Sequence, residues 1–296
     1  MMIEKNRKQF TLRRGIYVLP SLLTAGNMSV GFVSMLYSMH HNYTMAAWFI
    51  IAAIAFDALD GRVARWTKTT SSFGIEFDSL ADMVSFGLAP SVMMYQMVLN
   101  TLGKPGVAIA LFFVLAGALR LARFNVKAQD NNSAGDFIGL PIPAAAGILA
   151  SFVLSYELFE QGSITVKTIP LIMQRMPIFF KAIAPTMLVI SLLMVSNIPY
   201  TAFKKFKFSR PKSLQLFVFL AASILIIIAY PQNTIFIVFV IYIASGLIGY
   251  IWRYLRLRRT VGKTVSHREI MEIMNGKKQE HEVGLQLFEE KKNEDK

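Results

Sequence analysis

The chain has 296 residues, 54% of them hydrophobic and 17% charged, with no cysteine; that balance fits lipid rather than water as the main solvent and excludes disulfides and thiolate-bound metals. The formal net charge is +13. The basic residues fall mostly in short clusters between apolar runs, the pattern of a cytoplasmic membrane face, which argues against nucleic acid as a partner.

Apolar runs of about 20 residues, enough to cross a bilayer, occur in order at 17–39, 44–65, 79–100, 105–124, 139–159, 177–197, 213–230 and 233–252. They predict an all-α fold, a polytopic transmembrane helix bundle of about eight spans. The connections supply an independent sign. Lys5, Arg7, Lys8, Arg13 and Arg14 precede the first span; Arg62, Arg65 and Lys68 follow the second; Arg120, Arg123 and Lys127 follow the fourth; Lys204, Lys205, Lys207, Arg210 and Lys212 follow the sixth; Arg253, Arg256, Arg258 and Arg259 follow the eighth. "HHNYT" and "PQN" on the other side carry no Lys or Arg, and the third connection carries only Lys104. This alternation predicts both termini in the cytoplasm. Three parts follow: a basic cytoplasmic segment at 1–16, a transmembrane domain at 17–252, and a basic, then mixed-charge, cytoplasmic tail at 253–296, in which "HREIMEIM" has the pattern of a short amphipathic helix. The first apolar run follows basic residues, as in a signal peptide, but its length and the lack of a small-residue cleavage site predict an uncleaved span.

The second span raises the functional question. Asp57 arrives roughly 20 Å from its outer end, about 10 Å short of the far boundary, so the charge falls inside the membrane. Asp57, Asp60, Gly61 and Ala64 lie at i, i+3, i+4 and i+7 on one stripe of a helix, and Asp78 and Asp82 lie at i and i+4 at the start of the next. Two neighbouring helices would then aim four carboxylates at one another, which repel strongly in a low dielectric unless cations intervene. Oxygen ligands with no cysteine and no nearby histidine point to hard divalent ions, Mg²⁺ or Mn²⁺, and four carboxylates suit two ions with positions left for an anionic substrate such as a diphosphate. On the acidic residues alone, an enzyme, an ion-coupled transporter and structural pairing with arginine all stay open. His40, His41, His267 and His281 fall in an outer connection and the tail, away from these aspartates.

The spacing Asp57-x2-Asp60-Gly61-x2-Ala64-Arg65-x8-Gly74-x3-Asp78-x3-Asp82 resembles the signature of the CDP-alcohol phosphotransferases, membrane enzymes that move a phosphatidyl or related group from a CDP-linked donor to an alcohol and release CMP. With "LPSLLTAGNMSVGF", "ALRLARFNV" and "FIGLPIPAAAG", the likeness is to the phosphatidylserine-forming branch, which uses CDP-diacylglycerol and L-serine, and it extends over roughly residues 12–255. One position departs: Ser21 follows Pro20 where the family pattern has Asn, leaving Asn27 as the remaining amide of that span.

The resemblance implies a two-metal site with Asp57, Asp60 and Asp78 as principal ligands, and Asp82 as general base contributing to metal binding. It implies nucleotide or phosphate contacts at Gly61, Ala64, Arg65 and Gly74, a six-helix core with two added spans, a homodimer, and an active site on the cytoplasmic side of a bacterial inner membrane. Arg120 and Arg123, at i and i+3, are candidates for the serine carboxylate or the donor phosphate. "GLPIPAAAG" reads either as a plain turn into the fifth span or as irregular backbone lining a polar cavity. Two alternatives are kept: a sibling enzyme with glycerol 3-phosphate, choline or inositol phosphate as acceptor, and a divalent-cation transporter. Spans six to eight contain no Asp or Glu, which favours a one-sided site over a path across the membrane.

Overall fold

The computed structural model describes residues 2–67, 71–129, 137–160, 176–200 and 231–261. These are helical apart from short turns and one pair of two-residue strands, in agreement with an all-α bundle. Helix α1 (Met2–Met39) runs unbroken through Pro20 and pairs with α2 (Tyr43–Thr67). The turn between them closes as a Schellman motif: Asn42 N–H donates to Tyr37 O at 3.0 Å and His41 N–H to Ser38 O at 3.1 Å, with His41 at φ 58°. Asn42 then caps α2, its Oδ1 accepting from Met45 N–H at 3.1 Å. The pair packs closely because α2 faces inward with Ala46, Ala47, Ile50 and Ala53, and Ser34 of α1 donates to Ala46 O at 2.8 Å.

Helix α3 (Ser72–Asp82) starts on Ser71, whose extended backbone and side chain cap it by accepting from Gly74 N–H at 3.0 Å. It continues without a break into a π-helical segment, Met83–Leu88, and then α4 (Ala89–Met97). Pro90 just beyond has no N–H to give and its ring would crowd the carbonyl one turn back, so a widened turn ahead of it relieves the ladder. The span expected at 79–100 therefore begins seven residues earlier, at Ser72 just after the Ser71 cap, and ends at Met97, ahead of a 3₁₀ turn over Leu99–Leu102. Helix α5 (Lys104–Gln129) outruns the expected 105–124, carrying Arg120 and Arg123 on regular helix.

Strand β1 (Phe137–Ile138) leads into α6 (Ile142–Glu160) and pairs antiparallel with β2 (Pro199–Tyr200), which follows α7 (Met176–Val195). Here the "GLPIPAAAG" stretch is a plain turn. Gly139 N–H donates to Ile198 O at 2.9 Å and Leu140 N–H to Leu193 O at 3.0 Å, so protein satisfies the backbone, and Pro143 sits in the first turn of α6 where a missing N–H costs nothing. Helix α8 (Pro231–Val261) packs on α6, with Phe236 edge-on to Phe152.

The core gathers residues such as Ile50, Phe86, Met93, Phe113, Leu154 and Met187 from five helices. Outward faces are bare and apolar, as at Leu111, Leu115 and Leu119 of α5 and Ile237, Ile241 and Ile248 of α8, which suits a lipid surround. Among the described residues three helices are long and apolar enough to cross a bilayer: Tyr43–Thr67, Lys104–Val126 and Asn233–Trp252. Ile142–Tyr156 and Ala182–Val195 are shorter apolar helices. The expected span at 213–230, the connections at 161–175 and 201–212, and the tail from 262 onward with His267 and His281 lie outside the described residues.

Candidate metal centre and active site

Helical pitch delivers the aspartates as the spacing requires: Asp57 and Asp60 from the C-terminal half of α2, Asp78 and Asp82 from α3. One carboxylate oxygen from each of Asp57, Asp60 and Asp78 lies within 4.8 Å of the other two. Asp60 is buried, Asp57 and Asp78 partly so. Among the described residues no Lys or Arg makes a salt bridge to this trio, and Asp78 Oδ1 is buried with no hydrogen-bond partner. Converging carboxylate oxygens with an unused buried lone pair fit a hard divalent cation.

Asp82 has different company. It is buried, stands outside the converging trio, and its Oδ1 accepts from Asn27 Nδ2 of α1 at 3.2 Å. Helix α1 also supports the trio: Thr24 Oγ1 lies 3.1 Å from Asp60 Oδ2 and 3.1 Å from Pro20 O. Thr24 was missed by sequence reasoning. The available signal was a stripe of small and polar residues in an apolar span, Thr24, Asn27, Gly31, Ser34 and Ser38, at helical intervals. Gly31 shows what the stripe does. A Cβ there would lie 2.3 Å from Ser85 Oγ and 2.6 Å from Ser85 Cα, and Ser85 Oγ donates to Asn27 O at 2.9 Å. Thus α1 is seated directly on the π segment that follows Asp82.

The remaining motif residues lie on the same two helices. Gly61 faces open space, with nothing within 4 Å of where a Cβ would be. Ala64 is half-buried, and Arg65 is exposed near the end of α2. Gly74 lies in the first turn of α3, where its N–H serves the Ser71 cap.

Arg120 and Arg123 share a helix face but not a destination. Arg123 donates to Val195 O at 3.3 Å and to Asn197 Oδ1, tying α5 to the end of α7. Arg120 lies close enough to Asp82 and Asp57 to interact electrostatically with both, and with Tyr242 of α8. Its Nε is buried with no hydrogen-bond partner, and its guanidinium carbon stands 5.8 Å from the Phe124 ring centroid. Helices α3 and α5 are also joined by Asn125 Nδ2 donating to Ser79 Oγ at 2.9 Å, next to Asp78.

A family model describing CDP-alcohol phosphatidyltransferases matches residues 17–183. The chain is 35% identical over 254 residues to a Helicobacter pylori protein named CDP-diacylglycerol--serine O-phosphatidyltransferase, covering 85% of this chain and 98% of that one. A Bacillus subtilis protein of the same name is 36% identical over 139 residues, 47% of this chain and 77% of its own. An archaetidylserine synthase of Methanothermobacter thermautotrophicus is 34% identical over 184 residues, 62% of this chain and 69% of its own.

Proposed function

Because the chain belongs to the CDP-alcohol phosphatidyltransferase family, we propose that it transfers the phosphatidyl group of CDP-diacylglycerol to L-serine and releases CMP. The observation that carries this reading is the division of four aspartates into a converging trio and a separately held fourth. The choice of serine is supported by what the relatives' names say they act on.

Asp57, Asp60 and Asp78 would hold two divalent ions, Mg²⁺ or Mn²⁺. Bound there, the ions offset the charge of the diphosphate and of departing CMP. Asp82 stands outside the trio and accepts from Asn27 at Oδ1, which leaves its other oxygen to take a proton, so it serves as general base. It removes the hydroxyl proton as the serine oxygen forms a bond to the phosphorus bearing diacylglycerol; the phosphoanhydride bond breaks, and its electron pair leaves with CMP. Gly61 and Ala64 leave room for the nucleotide beside the trio, Gly74 stands at the facing helix start, and Arg65 supplies positive charge for a phosphate.

The protein is an integral membrane protein, with apolar helices in a family of membrane enzymes. Its finer placement belongs to the proposal: eight spans, both termini and the aspartates on the cytoplasmic side of a bacterial inner membrane, a catalytic domain at 17–252 between a basic segment at 1–16 and a tail at 253–296, and a homodimer. The basic clusters on alternate connections support the orientation.

The test is CMP release by the purified protein in detergent with CDP-diacylglycerol and Mg²⁺, offered serine, glycerol 3-phosphate, inositol and choline separately. Release stimulated by serine alone is expected. Stimulation by another alcohol would overturn the serine assignment, and no release with any acceptor would overturn the transferase reading.

A further inference from the structure

Two of the aspartates are oriented by side chains of α1, and a third is not. Thr24 Oγ1 reaches Asp60 Oδ2 at 3.1 Å, and Asn27 Nδ2 reaches Asp82 Oδ1 at 3.2 Å. Asp78 Oδ1 is buried with no hydrogen-bond partner. The aim of Asp78 at Asp57 and Asp60 then depends on how α3 is turned about its own axis. That dependence is steep. At a radius of about 5–6 Å, a rotation of about 20° carries a side-chain tip roughly 2 Å, whereas metal–ligand distances tolerate about 0.2 Å.

Helix α1 fixes α3 at Asp82 through Asn27. One turn earlier the hold comes from α5. Ser79 follows Asp78 and projects about 100° further round the helix. Its hydroxyl proton returns to Ile75 O at 3.1 Å, so the oxygen presents a lone pair to Asn125, whose Nδ2 donates to it at 2.9 Å. Asn125 Oδ1 is farther away, at 3.3 Å. The same Nδ2 stands 3.5 Å from Glu76 Oε2, and Glu76 and Ser79 lie at i and i+3 on one face of α3. On the side away from the aspartates Phe73 and Leu80 are exposed, so among the described residues no packing there resists rotation. We propose that Asn125, acting through Ser79, is the positioning residue that turns Asp78 toward the metal centre. Neither side chain touches the ion or the substrate. Ser79 falls at an unspecified position of the Asp57–Asp82 motif and Asn125 on another helix, so motif spacing does not disclose the pair. The role rests on the metal-ligand part of the transferase reading and deepens it, by naming what sets the geometry of that ligand.

The experiment uses the full chain in detergent and two readouts. One is Mn²⁺ binding, followed by the loss of the free-ion electron paramagnetic resonance signal; the other is CMP release from CDP-diacylglycerol and L-serine as Mn²⁺ is titrated. Ser79→Ala and Asn125→Ala should each weaken Mn²⁺ binding about 10–100-fold, the usual effect of losing a contact that orients a ligand. The Mn²⁺ concentration for half-maximal rate should rise in step, with KM for serine at saturating Mn²⁺ unchanged. The double variant should be no worse than either single one, because both remove one interaction. Ser79→Thr keeps the hydroxyl and should restore wild-type Mn²⁺ binding. Unchanged Mn²⁺ binding in Ser79→Ala overturns the proposal, even if the melting temperature falls; alanine favours helix, so this variant decides the point should Asn125→Ala not fold. A raised KM for serine with unchanged Mn²⁺ binding overturns it too, by making Asn125 a contact of the acceptor. Failure of the transferase reading looks different: the wild type releases no CMP with serine, while Mn²⁺ binding and its dependence on Ser79 can still be measured.

Discussion

Asp78 and Asp82 are one helical turn apart, yet one joins a carboxylate trio and the other is held from α1 by an amide. Charge removal should therefore have different consequences at the two positions. Asp82→Asn should lower kcat by about 10²–10⁴-fold, the usual contribution of a general base, with the Mn²⁺ requirement little changed. Asp78→Asn should raise the Mn²⁺ concentration for half-maximal rate, as read in a metal titration of CMP release. Thr24→Val keeps shape but removes the hydroxyl donor to Asp60 Oδ2, and loss of such a supporting contact should weaken metal affinity about 10–100-fold. All four aspartates were legible in the sequence because charge in an apolar span stands out against its surroundings. Thr24 was not, since a hydroxyl costs little in a helix that can return it to its own backbone, as this one does at Pro20 O. Nor could spacing separate Arg120 from Arg123: both lie on one face, and only the end of α7, far along the chain, draws Arg123 away.

The junction of α3, the π segment and α4 behaves as one element on which α1 is seated. Gly31→Ala would drive a methyl to within 2.6 Å of Ser85 Cα, and backbone cannot step aside as a flexible side-chain tip can. The variant should be destabilised by about 1–3 kcal/mol, as for other overpacked sites, and should melt earlier in detergent. Gly61→Ala makes the opposite pattern. Nothing lies within 4 Å, and alanine is favoured over glycine in a helix by roughly 0.8–1.0 kcal/mol, so the melting temperature should hold or rise while KM for CDP-diacylglycerol increases. Helix existence was readable from hydropathy, but helix ends were not. Hydropathy reports the thickness of lipid, whereas the Ser71 cap starts α3 outside it and α5 and α8 carry their helical ladders past the apolar window into charged residues.

At the scale of the whole molecule, the aspartates lie toward one end of the α1–α2 pair and the His40–His41 turn closes the other. The natural chain has no cysteine, so single-cysteine reporters can be placed without background. His40→Cys should react with an impermeant maleimide in intact cells, and Ser71→Cys only after permeabilisation; equal reaction from one side would contradict the proposed orientation. The bundle itself was legible because lipid allows few alternatives to helices, whereas the contribution of α8 was not. Nothing in its apolar sequence announces that Phe236 meets Phe152, a contact made only once α8 has packed on α6. The central claim is that the two-helix aspartate centre carries the serine transfer with Asp82 as base. Its most direct test is mass spectrometry of the lipid formed from CDP-diacylglycerol, L-serine and Mn²⁺ by the wild type and by Asp82→Asn, with CDP-diacylglycerol binding measured in parallel. Phosphatidylserine from the wild type, and its near-absence from a variant that still binds the donor, is the expected result. Undiminished phosphatidylserine from Asp82→Asn, or no serine-containing lipid from either protein, would contradict it.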